Sequence, residues 1–203
     1  MDTFISLDEA RRIEQRAALL QPQETVPLSR SLGRTLAEDA VGREAIPPFD
    51  NSAMDGYAVR VADLDELPAT LEIVEQIPAG TTPTRSIGAG TCAHIMTGAP
   101  IPEGADAIVP IEWTDAGAGK TVRINRGPER GQYIRPAGQD VQQGDVMVEA
   151  GQVITPPVVG MLATLGVSAV PVRVPPTVAV VATGDELVPV GAELGPGQIR
   201  NSN

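Results

Sequence analysis

Short oxygen-bearing side chains crowd one stretch of the sequence, Ile46-Pro47-Pro48-Phe49-Asp50-Asn51-Ser52-Ala53-Met54-Asp55-Gly56-Tyr57-Ala58. Asp50, Asn51, Ser52 and Asp55 offer the hard oxygens that Mg²⁺ takes, or the polar contacts that orient a ligand. The same residues also describe an Asx-turn loop running into a strand, and composition alone favours that plainer reading. A second stretch, Ile95-Met96-Thr97-Gly98-Ala99-Pro100, follows a predicted strand. Its Thr-Gly turn offers a hydroxyl and backbone N–H groups, the parts of an anion-binding nest, or else it is an ordinary proline-rich loop. In Tyr133-Ile134-Arg135-Pro136-Ala137-Gly138-Gln139-Asp140, Arg135 can grip an oxyanion through two parallel hydrogen bonds, and Asp140 can orient it or serve a metal. A plain surface Arg–Asp pair is the alternative. Asp185 and Glu186 follow an apolar run and sit where open α/β sheets bind ligands.

Several familiar arrangements fail. Gly117-Ala118-Gly119-Lys120-Thr121 resembles the end of a phosphate-binding loop, but Thr114 stands where its first glycine is required. Cys92 and His94 lack partner ligands for tetrahedral zinc and read as structural. A single histidine supports no hydrolase triad.

The elements that must position these groups are legible in part. Ser6-Leu7-Asp8-Glu9 has the form of a capping box, and Ala10, Ile13, Ala17 and Leu20 follow at helical spacing. They predict a helix from Leu7 to Leu20. Glu24 to Leu28 reads as extended, and Ser31 to Asp39 as a second short helix with Leu32, Leu36 and Ala40 on one side. Short β-type runs then alternate with Gly, Pro and Asp: 57–61, 70–77, 92–96, 107–113 and 121–124. Residues 146–148 and 152–154 resemble a hairpin turning at Ala150-Gly151, and 156–165 a buried apolar helix ended by Gly166. Thr177 to Ala182 reads as a buried strand of a parallel sheet. One strand and a loop do not complete an α/β domain, so the sequence reads as a truncation.

Composition limits the function classes. Among 203 residues, 15 Lys+Arg stand against 26 Asp+Glu, a net charge of −11 that disfavours general nucleic-acid binding. Five aromatic residues, Phe4, Phe49, Tyr57, Trp113 and Tyr133, are too few for base-stacking platforms. A hydrophobic content of 42% supports a packed core, and 21 Gly with 19 Pro imply many turns. A lone cysteine excludes an internal disulfide and makes a reducing compartment the default. No apolar run approaches the roughly 18 residues needed to span a bilayer, and the first residues lack a signal-peptide pattern. The expected setting is the cytoplasm, with no nucleic-acid or membrane partner.

The string from Pro47 to Ala58 closely resembles the signature of the molybdopterin molybdenumtransferase family, the MoeA-like proteins and the gephyrin E domain. Met96-Thr97-Gly98-Ala99-Pro100 through Ala105-Asp106-Ala107-Ile108-Val109-Pro110, then Ile134-Arg135, Gly138 and Asp140, Thr183-Gly184-Asp185-Glu186-Leu187, and Gly197 to Asn203 are similar to further family motifs in the family's order. The resemblance implies an α+β multidomain fold. An elongated scaffold and dimerisation domain would comprise 1–44 and 141–174, an inserted β-rich domain 45–140, and the start of a truncated α/β molybdopterin-binding domain 175–203. It also implies insertion of molybdate into adenylylated molybdopterin, with Mg²⁺ dependence and release of AMP, by a homodimer whose cleft lies between subunits. A molybdopterin-adenylylating protein and molybdoenzyme acceptors are the partners it implies.

By motif position, Asp55, Thr97, Arg135, Asp140 and Glu186 match residues implicated in activity. Thr97, Gly98, Arg135, Asn51 and Ser52 are the expected contacts to substrate, and Asp55, Asp140 and Glu186 the expected metal ligands. Gln139 stands where the family often carries glutamate. The family's later glycine-rich and lysine-containing segments do not occur before Asn203, so the 203 residues alone are expected to lack transferase activity. The alternative is a non-catalytic dimerisation or binding module of the same family. A generic Mg²⁺-dependent phosphohydrolase using the Asp cluster is a third reading, open only if the resemblance is accidental.

Overall fold

The computed structural model describes residues 5–17, 19–116 and 120–202. Phe4, the glycine-rich 117–119 and Asn203 lie outside the described residues. The capping box forms, with the Glu9 N–H donating to Ser6 Oγ at 3.1 Å, and it opens α1, Leu7–Ala17. Residue 18 lies outside the described residues, and Leu19 and Leu20 are not helical. The chain continues through β1 (Gln23–Pro27), β2 (Ala40–Val41), β3 (Asn51–Ser52), β4 (Gly56–Val59), β5 (Ala69–Ile77), β6 (Thr91–Ile95), β7 (Ala107–Pro110), β8 (Thr114–Ala116) and β9 (Thr121–Ile124). It ends with β10 (Ile134–Arg135), β11 (Val146–Val148), α2 (Pro156–Thr164), β12 (Ala169–Arg173), β13 (Leu187–Val188) and β14 (Ile199–Arg200). The regular structure of the described residues is thus mostly strand, with two α-helices.

A six-stranded mixed sheet runs in the order β7-β4-β6-β5-β9-β8. Strands β5 and β6 are parallel, with Ile73 opposite Cys92 and Ile77 opposite Ile95; the other pairs are antiparallel. Alternation along the strands separates two sets of buried side chains. Val59, Leu71, Cys92, Ala107, Val109, Val122 and Ile124 pack in one cluster. Ala58, Ile77, Ala93, Ile95 and Ile108 pack in another. Each such aliphatic side chain contributes about 1.5–3 kcal/mol by leaving water. The run expected to be strand from 107 to 113 stops at Pro110 and turns into a 3₁₀ segment, Ile111–Trp113. Pro110 lacks an N–H to donate, which fits its place on the edge strand.

A third buried cluster joins segments that precede and follow this sheet in the sequence: Leu36, Ala40, Val141, Val148, Ile154, Leu162, Leu165, Val170 and Val172. Here local pattern misleads. Residues 31–39 form no helix, because their backbone groups pair with distant strands. The N–H of Leu36 donates to Gln152 O at 2.9 Å, that of Ala37 to Pro171 O at 2.9 Å, and that of Ile154 to Arg34 O at 2.8 Å. Leu36 is 1% exposed, whereas Leu32, which a helix would stack beside it, is 58% exposed. The expected hairpin of 146–148 with 152–154 is likewise absent: β11 pairs with β2, and Val153 bridges to Thr35.

The 156–165 helix forms, and a Schellman motif closes it. The N–H of Gly166 donates to Ala163 O at 3.0 Å and that of Val167 to Leu162 O at 2.9 Å, with Gly166 at φ +72°. It is not a buried helix, for Leu162 alone within it is fully enclosed. Residues 177–182 join no strand ladder among the described residues, and Val178, Val180 and Val181 are more than 70% exposed. An apolar run becomes a strand only where a neighbour takes its backbone hydrogen bonds. In place of a parallel α/β sheet, the last segment has one short parallel pair, β13 with β14.

Candidate functional site

The loop from Ile46 to Gly56 is a hub between two segments far from it in sequence. On one side β3 pairs with β10, Asn51 facing Arg135 and Ser52 facing Ile134. On the other, the N–H of Ser52 donates to Ala99 O at 3.0 Å, that of Gly98 to Ser52 O at 2.8 Å, and that of Ile101 to Asp50 O at 3.0 Å. The 136–141 stretch is tied down as well. Gly138 N–H donates to Pro47 O and Asp140 N–H to Ile46 O, both at 2.9 Å, and Ala137 N–H to Asp50 Oδ1 at 2.8 Å. Asp50 therefore spends a carboxylate oxygen on the architecture. Ser52 does the same with its hydroxyl, which donates to Met54 O at 2.6 Å, and its side chain is buried. Asn51 is 6% exposed, and its Oδ1 is a buried acceptor with no donor among the described residues.

Asp55 and Thr97 form the tightest feature of the site. One oxygen, Asp55 Oδ1, accepts both the Thr97 N–H and the Thr97 hydroxyl, each at 2.7 Å. The backbone donation, seconded by the hydroxyl, holds the Asp55 carboxyl below the usual aspartate range. Of the two readings the sequence leaves open for Thr97-Gly98, the geometry fits the ordinary loop and not the anion nest. Its N–H groups are all engaged within the protein: Thr97 with Asp55, Gly98 with Ser52 O, and Ala99 with Met96 O at 3.0 Å.

Arg135 and Asp140 meet in an ion pair, Nη2 to Oδ2 at 2.5 Å, with side chains 41% and 50% exposed. The pair uses one donor of the guanidinium fork, so Arg135 retains further N–H donors for an oxyanion. Sequence reasoning missed the brace beneath it. Tyr133, two residues before Arg135, holds φ +62° and lends its carbonyl to the Ala53 N–H at 2.9 Å. Its ring meets Trp113 edge-on at 5.7 Å, and the Arg126 guanidinium covers the Trp113 ring at 4.0 Å. A positive φ at tyrosine leaves no residue-type signal, since glycine or asparagine is the usual marker.

Glu186 stands apart. It is exposed in the turn before β13, its carboxylate folded back against Gly184, and no hydrogen bond or ion pair among the described residues joins it to Asp55, Thr97, Arg135 or Asp140. The structure thus unites Asn51, Ser52, Asp55, Thr97, Gly98, Arg135 and Asp140 around one hub and leaves Glu186 outside. Nor do Asp55, Asp140 and Glu186 fit a Mg²⁺ site within this chain. One is saturated at Oδ1 by Thr97, one is paired with Arg135, and one is elsewhere; no group of three His, Cys, Asp or Glu among the described residues converges on a common point. Cys92 is wholly buried, and burial pushes its thiol up to about 12. His94 packs its ring on Tyr57 at 5.1 Å. No helix among the described residues is long and apolar enough to cross a membrane.

A family model described as the MoeA N-terminal region (domain I and II) matches residues 5–166. The chain is 44% identical over 183 residues to molybdopterin molybdenumtransferase 2 of Mycobacterium tuberculosis, covering 88% of this chain and 45% of that protein. It is 43% identical over 211 residues to molybdopterin molybdenumtransferase of Bacillus subtilis, covering 99% of this chain and 48% of that one. Two solved structures of the molybdopterin biosynthesis MoeA protein from Pyrococcus horikoshii superimpose with a TM-score of 0.79. Their identities are 33% and 37%, covering 98% and 87% of this chain and 52% and 47% of theirs. The chain spans about half the length of the curated relatives it matches.

Proposed function

Since the chain belongs to the MoeA family, matched over its N-terminal region, we propose that it supplies the molybdate-handling part of a molybdopterin molybdenumtransferase. The reaction is insertion of molybdate into the dithiolene of adenylylated molybdopterin, with release of AMP. The observation that carries this reading is the convergence of three sequence-distant blocks on one hub, in which β10 pairs Arg135 with Asn51 of the loop that also carries Asp55, itself hydrogen-bonded to Thr97. Arg135 is the group there with charge and free donors suited to a doubly charged oxyanion. Asp140 orients it through their ion pair. A Mg²⁺ requirement belongs to the same reading, but its ligand set is not one that Asp55, Asp140 and Glu186 form within this chain.

The third buried cluster, built from residues 36–40 and 141–172, and the two clusters of the six-stranded sheet support a division into a scaffold of 1–44 with 141–174 and an inserted unit of 45–140. Residues 175–203 would open the molybdopterin-binding domain. The assembly proposed is a homodimer in the cytoplasm, served by a molybdopterin-adenylylating protein and delivering to molybdoenzymes. The 203 residues alone, which span about half the length of the relatives, are expected to be inactive.

The test is to supply the protein as encoded by its gene with molybdate, Mg²⁺ and adenylylated molybdopterin, and to follow AMP release and cofactor formation. We expect both in the wild type and a loss of at least about tenfold in Arg135→Ala, the effect of losing a charge-assisted contact to an anion. A folded wild type that forms no cofactor overturns the reading in favour of a non-catalytic module.

A further inference from the structure

We propose that Asp55 is a positioning residue that fixes the polarity of the Thr97 hydroxyl, so that Thr97 Oγ1 meets the substrate as an acceptor and binds a neutral O–H or N–H donor of the organic substrate, not molybdate. The inference rests on the transferase reading and specifies which substrate its Thr97 contacts. An ionised carboxylate can only accept hydrogen bonds, and a threonine hydroxyl has one proton. With Oγ1 2.7 Å from Asp55 Oδ1, that proton is directed at Asp55, and what Thr97 presents outward is lone pairs. The Thr97 amide is bound to the same oxygen, so the hydroxyl is held by two tethers and does not swing.

An oxyanion placed here would face lone pairs on Oγ1 and the carboxylate behind it, and would find the amides of Thr97, Gly98 and Ala99 already engaged. A cation would find a carboxylate already accepting two hydrogen bonds at one oxygen, and no group of three His, Cys, Asp or Glu converges there among the described residues. A neutral donor satisfies the oxygen without either cost. The buried Oδ1 of Asn51, in the same loop, is a second acceptor awaiting a donor. Molybdate is left to Arg135.

Thr97→Val, which keeps the Asp55 tether to the amide and removes the oxygen, tests this directly. Dissociation constants are measured by calorimetry for molybdate alone and for adenylylated molybdopterin alone, on the protein as encoded. The expected result is about tenfold weaker binding of adenylylated molybdopterin, with molybdate affinity unaltered. Thr97→Ser is expected to restore the binding. Asp55→Ala, which frees the hydroxyl proton to turn outward, is expected to reproduce the split, and Asp55→Asn, whose carbonyl in the place of Oδ1 still accepts both the Thr97 N–H and the hydroxyl, to rescue it. If Asp55→Ala does not fold, the Thr97 pair carries the test. In Thr97→Val, loss of molybdate affinity, loss of both affinities together, or loss of neither overturns the proposal while leaving the transferase reading intact. A wild type that binds neither ligand overturns that reading and the proposal with it.

Discussion

Gly56 and Val109 sit so close across adjacent strands that a Cβ on Gly56 would stand 2.0 Å from the Val109 carbonyl oxygen. The glycine that ends the Asp-Gly pair of the signature is thus a packing requirement, since it lets β4 lie against β7 in register, Gly56 opposite Pro110 and Tyr57 opposite Val109. It also sets the position of Asp55, whose carbonyl accepts the Ile111 N–H at 3.0 Å.

Gly56→Ala should therefore be destabilising by about 1–3 kcal/mol or more, because backbone, not a flexible side chain, must give way. The measurement is chemical denaturation of the two proteins side by side. An unchanged midpoint would show that β4 and β7 are not this close.

Asp55 yields a prediction about pH. Its carboxyl is held below the usual aspartate range by the Thr97 amide and hydroxyl, so its contribution to stability is fully present above the unfolded value and is lost as the pH falls through the folded one. The Thr97 amide resonance should shift with Asp55 protonation at a pH below the ordinary aspartate range, and the shift should vanish in Asp55→Ala. A Thr97 amide that titrates at an ordinary aspartate value would contradict the shared-oxygen geometry.

The extended path of residues 31–39 predicts opposite outcomes for two leucines that a helix would treat alike. Leu36→Ala should cost about 2–5 kcal/mol, as for a fully enclosed leucine. Leu32→Ala, at an exposed position, should stay within about 0.5 kcal/mol. Equal losses measured by thermal or chemical denaturation would favour the helix.

The signals that act over a few residues were legible in the amino-acid order: the Ser6 cap, the short β-type runs of 70–77 and 121–124, the helix stop at Gly166, and the family signature around Asp55. Each depends on neighbours within a turn or one strand. Pairing across the chain decided the rest. Leu36 is extended because Gln152 and Val172 meet it, and 177–182 is no ladder strand because nothing described here meets it.

The site divides in the same way. Residue types at 51–55, 97 and 135–140 named the groups able to do chemistry, since charge and donor capacity are properties of the side chain alone. Which of those groups are still free is a tertiary matter, settled by contacts 42 residues apart for Asp55 with Thr97 and 87 apart for Asp50 with Ala137. A hydrogen bond consumes a donor wherever its partner comes from, so the Thr97-Gly98 turn, whose residue types allow either an anion nest or an ordinary loop, becomes, once folded, a turn with no amide to spare.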